Sequence, residues 1–81
     1  MHIQVVGSGC PNCNKLEALC KEVVNELRLD AQIEKVIDIN RFAELGVYIT
    51  PGLLINGQLK SAGKIPVKAT LAHWLEDSAK Q

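Results

Sequence analysis

Residues 7–13 read Gly7-Ser8-Gly9-Cys10-Pro11-Asn12-Cys13, and they stand between two different kinds of sequence. Before them, residues 2–6 (His-Ile-Gln-Val-Val) form a short β-branched run ended by glycine, which predicts a strand. After them, Leu16, Leu19, Cys20, Val23, Val24 and Leu27 recur at helical spacing. That stripe predicts a helix over about residues 11–28, with Lys15, Glu17, Lys21, Glu22 and Glu26 on the wet side. The cysteine pair therefore falls where a strand hands over to a helix. Gly7 and Gly9 are expected to let the backbone turn sharply. Pro11 suits the first helical position, where its missing N–H is not needed. Cys10 then sits at the helix N-terminus, where unpaired N–H groups and the helix dipole stabilise a thiolate. Cys13, three residues on, returns to the same side within disulfide reach.

A thiolate is both the nucleophile of disulfide exchange and a soft metal ligand, so the motif supports two chemistries. In the first, Cys10 attacks a disulfide, forms a mixed disulfide and is released by Cys13. In the second, the two thiolates hold and transfer Cu(I), since a glycine-rich turn and CxxC opening a helix also begin copper-carrier domains. Two cysteines fall short of a four-ligand structural zinc site. Lys15, two residues past Cys13, is a candidate source of positive potential at the thiolate.

Outward from this motif, residues 31–37 read as a second strand and residues 38–45 as a short helix. Asp38 or Asn40 would cap that helix and Gly46 would stop it. Residues 53–55 and 58–62 flank Asn56-Gly57, a strong two-residue hairpin signal. Pro66 suits the first turn of a last helix with Val67, Leu71, Trp74 and Leu75 on its inner face. The expected order is βαβαββα in a single α/β domain spanning residues 1–81. Two right-handed crossovers would make the first strands parallel to their successors, and the hairpin would add an antiparallel edge. The result is a four-stranded mixed sheet with helices on both faces.

Composition narrows the function further. Nine basic residues balance nine acidic ones, so no positive field favours phosphate backbones, and nucleic acid is not an expected partner. One Trp, one Tyr and one Phe are too few for a base-stacking platform. The first six residues carry no basic run and reach Gly7 too soon for a secretory signal, and no apolar run approaches the ~20 residues of a membrane span. A cytoplasmic protein that does not enter a membrane is expected. Three cysteines in such a chain point to chemistry rather than to a disulfide framework.

The strand, CPxC and helix start, followed by Thr50-Pro51 ahead of a hairpin, resembles the thioredoxin fold. In detail the chain is similar to the short glutaredoxin-like redox-active disulfide proteins, also called small or archaeal-type thioredoxins, over essentially its whole length. The resemblance implies that Cys10 is the attacking thiol and Cys13 the resolving one. It implies that Pro51 is a cis-proline whose loop packs against the disulfide, and that Thr50 offers backbone hydrogen bonds to an extended substrate. Pro11 and Asn12 would face that substrate. No cofactor is implied beyond the Cys10–Cys13 disulfide itself.

Departures from the family pattern refine the expected partners. Glutathione-binding members carry Thr-Val-Pro and a later Gly-Gly pair followed by acids. Here Ile49-Thr50-Pro51 and residues 61–66 (Ser-Ala-Gly-Lys-Ile-Pro) stand in those places. Gln4 stands where larger members bury a proton-shuttling acid. Protein disulfides and a separate reductase, rather than glutathione, are the expected partners of a monomer. The copper carriers run βαββαβ, usually place Met where Ser8 stands, and have no need of Thr50-Pro51. Cys20 lies roughly 10 Å from Cys13 by helical rise, beyond the ~7 Å limit for a disulfide, and is expected to fill the core. His2 and His73 read as surface residues.

Overall fold

A computed structural model describes residues 1–80; Gln81, the last residue of the expected domain, lies outside the described residues. The chain forms β1 (His2–Val6), α1 (Pro11–Leu27), β2 (Gln32–Val36), α2 (Ile39–Phe42), β3 (Gly52–Ile55), β4 (Gln58–Ala62) and α3 (Lys68–Ala79). The four strands make one mixed sheet in the order β2-β1-β3-β4.

Alternation along β1 divides the core. Ile3 and Val5 face α1 and α3, packing with Leu16, Cys20, Val23, Leu53, Ile55, Leu71 and Leu75. Val6 faces the other way, toward Val36, Val47 and Leu54, with Phe42 and Leu45 packed against them. Helices thus cover both faces, two on one and the single turn of α2 on the other. Each fully buried Leu or Ile contributes roughly 1.5–3 kcal/mol of transfer free energy, so most of the burial lies on the α1–α3 side.

The expected parallel entry of β3 is incorrect. β1 and β2 are parallel, but β3 runs antiparallel to β1, with Val6 opposite Gly52 and Ile3 opposite Ile55. Residues 37–51 join β2 to β3, and only one turn of them, α2, is regular helix. The rest winds through turns and returns to the sheet at the end where β2 left it, so β3 starts opposite Val6.

Two other expectations shift. The helix expected over residues 38–45 is regular only over Ile39–Phe42, capped by the Asp38 carboxylate on the Asn40 N–H at 3.0 Å. Beyond it the chain winds through turns to Gly46, where the Gly46 N–H reaches the Ala43 carbonyl. The last helix starts at Lys68, with Val67 as an extended N-cap (ψ 150°) and Pro66 buried just before it. That extended backbone swings the Val67 side chain off the inner stripe, leaving it 70% exposed. Leu71 and Leu75 are buried and Trp74 packs partly against the core, as their spacing implies. The β3–β4 turn has positive φ at both Asn56 (50°) and Gly57 (82°), the geometry that an Asn-Gly pair favours.

The strand pairings set up the site. Val6, Val36, Gly52 and Ala62 all lie at one end of the sheet. The turn into α1, the entry to β3 and the exit from β4 therefore meet there.

Candidate functional site

Cys10 and Cys13 form a disulfide, with Cα atoms 5.1 Å apart. Cys10 is the N-cap of α1, extended at ψ 160°, and Pro11 follows as the first helical residue. The Cys10 sulfur accepts the Cys13 backbone N–H at 3.2 Å. An orphan donor of the helix end thus points at the Cys10 sulfur, a geometry that would favour a thiolate there once the pair is reduced. The two cysteines differ in access: Cys10 is half-buried, whereas Cys13 is fully buried behind it. Pro11 and Asn12 are exposed around the pair.

Gly9, at φ 87°, makes the turn. Gly7 has a different task from the one expected of it. Its backbone is ordinary, but a Cβ there would overlap the Cys13 sulfur and lie 3.1 Å from the Cys13 Cβ. Gly7 is a space-maker for the buried thiol, and the sequence signal for it is only a second glycine close to the first cysteine.

The same Cβ would lie 3.7 Å from the Thr50 Cβ, so the Thr50-Pro51 segment comes up beside Gly7 and Cys13. The Thr50–Pro51 bond is cis, Thr50 is exposed and Pro51 is buried. The Pro51 carbonyl accepts the Gly63 N–H at 2.8 Å, which ties this loop to the turn after β4. Ile49 presses against Gly63, and both Tyr48 and Ile49 are largely exposed. The end of the sheet thus presents a half-buried cysteine beside an exposed, partly apolar loop.

Lys15 is exposed on α1. Cys20 is free and wholly buried, and burial followed by the nearby Glu17 carboxylate pushes its thiol up to about 12. His2 and His73 are exposed; His2 meets Glu34 at 3.1 Å and His73 meets Asp77 at 3.8 Å.

Gln4 is buried, and its Nε2 donates to Glu34 Oε1 at 3.0 Å. Glu34 also accepts from Arg41 Nη1 at 3.1 Å. The Arg41 bond first, and the Gln4 bond after it, hold the Glu34 carboxyl below its usual range. This hub joins β1, β2 and α2. Its members run from Gln4 to Arg41 in sequence and no motif announces them.

Among the described residues, no three His, Cys, Asp or Glu side chains gather closely enough to hold a metal ion, and no helix is long and apolar enough to cross a membrane.

Residues 1–76 match the family described as thioredoxin domain. The chain is similar to a thioredoxin of Methanothermobacter thermautotrophicus, 41% identical over 68 residues, covering 84% of this chain and 88% of that protein. It is also similar to a thioredoxin of Methanocaldococcus jannaschii, 41% identical over 78 residues, covering 91% of this chain and 90% of the other. With the disulfide at the helix start, these matches do not favour a Cu(I) carrier.

Proposed function

The chain belongs to the thioredoxin domain family and is a thiol–disulfide oxidoreductase, and we propose that Cys10 is its attacking thiol and Cys13 its resolving thiol. The observation that carries these roles is the difference in access between the two cysteines. Cys10 is open to a partner and sits on the helix N-terminus, while Cys13 is buried directly behind it.

In the cycle, the Cys10 thiolate attacks one sulfur of a partner disulfide and the other sulfur leaves as a thiolate. The Cys13 thiolate then attacks Cys10 in the mixed disulfide. The partner departs as a dithiol and Cys10–Cys13 is oxidised, two electrons having passed to the partner. Thr50 and Pro51 would align the incoming chain, the exposed Thr50 pairing through its backbone with an extended segment. Pro11 and Asn12 would border it.

Protein disulfides are the proposed substrates, with a separate reductase returning the electrons. The exposed loop at Tyr48 and Ile49 suits a polypeptide better than it suits the charged tripeptide glutathione. No cofactor beyond the disulfide enters the cycle. Residues 1–81 act as one domain, as a monomer in the cytoplasm, where a reducing pool keeps the pair turning over.

Trapping tests the roles. Cys13→Ser should accumulate a mixed disulfide with protein partners through Cys10, found by mass spectrometry of non-reduced complexes. Cys10→Ser should trap little. Equal trapping by the two variants would contradict the assignment.

A further inference from the structure

Lys35 lies on β2 beside Val36, whose carbonyl accepts the Gly7 N–H at 2.9 Å. Its Nζ donates to Asn14 Oδ1 at 3.0 Å and stands 3.7 Å from Glu17 Oε1. Asn14 directly follows Cys13, and its own N–H closes the first turn of α1 on the Cys10 carbonyl at 3.1 Å. Glu17 stands one helical turn beyond Cys13, where i,i+4 Cβ atoms are about 5–6 Å apart. Lys35 therefore grips both the residue after the buried sulfur and the acid one turn further on.

The Glu17 carboxylate is only 22% exposed, and its field reaches the buried stripe of α1, where it adds to the rise at Cys20. The same negative charge opposes a thiolate at Cys13. Two cations share it: Lys35, and Lys21 at 3.7 Å, which is 65% exposed and further along the helix. Other charged groups near this end of the sheet are otherwise placed. Lys15 is exposed on α1, Glu34 is engaged by Arg41, Asp38 caps α2 and Lys64 lies in the turn after β4. Among the described residues, Lys35 is the cation bonded to the first turn of α1.

We propose that Lys35 is a positioning residue for the Cys10–Cys13 couple: it fixes the first two turns of α1 against β2 and offsets the Glu17 carboxylate, favouring the dithiol over the disulfide. The proposal rests on reading that pair as the working redox couple.

The test is a redox titration against dithiothreitol. In that exchange two electrons and two protons pass from the dithiothreitol dithiol to the protein disulfide, giving the Cys10/Cys13 dithiol and the cyclic dithiothreitol disulfide. Lys35→Met should move the equilibrium about three- to tenfold toward the protein disulfide, tenfold being ~30 mV. It should also raise the pH at which Cys10 becomes alkylated. Lys35→Arg should keep both quantities near those of the unmodified protein. Glu17→Gln should shift the equilibrium the opposite way, and that arm stands even where Lys35→Met fails to fold. Unchanged titrations in Lys35→Met, or a null shift in Glu17→Gln, overturn the proposal. Failure of the redox reading itself would show separately, as an unmodified protein that forms no mixed disulfide with protein substrates.

Discussion

The start of α1 and its third turn each carry a cysteine, yet they are chemically opposite places. At the first turn, Cys10 caps the helix, receives a backbone N–H and is half-open to a partner. At the third, Cys20 is wholly enclosed among apolar side chains, and its thiol is pushed up to about 12 by burial and by Glu17. The residue type is the same and the helix is the same. What differs is whether the end of the helix supplies donors to a charged sulfur or the core denies it water. Reactivity is set by position along the helix, and cysteine at the third turn behaves as a small hydrophobe.

Substitution at the two places should give the largest contrast. Cys10→Ser should drop disulfide reduction to the uncatalysed level, while Cys20→Ala should leave the rate unchanged, both read in a protein-disulfide reduction assay. Loss of activity in a folded Cys20→Ala protein would break the comparison.

A second contrast is in pH. Folding holds the Cys20 thiol protonated, so its folded value lies above the unfolded value near 9.0. Above that unfolded value the unfolded chain binds fewer protons than the native one, so stability falls as pH rises. The fall should run at about 1.4 kcal/mol per pH unit from near 9.0 toward about 12. Denaturant midpoints of the oxidised protein and of oxidised Cys20→Ala, compared across that range, isolate this contribution. Parallel curves would mean that Cys20 is not held protonated.

Gly7→Ala probes the wall behind Cys13. The added methyl would overlap the Cys13 sulfur. Overpacking of this kind costs about 1–3 kcal/mol, and denaturant unfolding of the oxidised form should show it. A neutral effect would mean that the turn yields easily and that Gly7 does not shape the site.

Smallest is the far end of the same helix. Arg28 closes α1 in the left-handed conformation at φ 53°, with its N–H on the Asn25 and Val24 carbonyls. Glycine is the residue that adopts this conformation without Cβ strain. Arg28→Gly should therefore raise stability by roughly 0.5–1 kcal/mol in thermal unfolding, without touching activity. Destabilisation would show instead that the Arg28 side chain holds the helix end.

Much of this was legible in sequence, and the parts that were not have a common cause. The handover from β1 to α1, Pro11 at the first helical position and the Asn56-Gly57 turn are local, and local chemistry carried them. The direction of β3 depends on which end of the sheet the chain re-enters after residues 37–51, which no local pattern states, and the apparent helix over residues 38–45 contains only one regular turn. Val67 followed the apolar spacing of α3 but lies outside the helix, because an N-cap residue is extended. At the site, Cys10 and Cys13 could be picked out by their spacing. The space made by Gly7 could not, since a missing side chain leaves no pattern. Lys15 stands next to the motif in sequence, whereas the cation bonded to the first turn is Lys35, 21 residues from its partner Asn14 and brought there by sheet pairing. The Glu34 hub likewise joins residues distant in sequence and leaves no local pattern.

The most direct test of the central claim is residue-resolved alkylation of the reduced protein across pH, read by mass spectrometry. Cys10 should label first, with a midpoint below the free-thiol value of ~8.5, and Cys13 should lag behind it. Cys20 should stay unlabelled until the protein is unfolded. Labelling of Cys20 at a rate comparable to Cys10 in the folded protein would contradict the account.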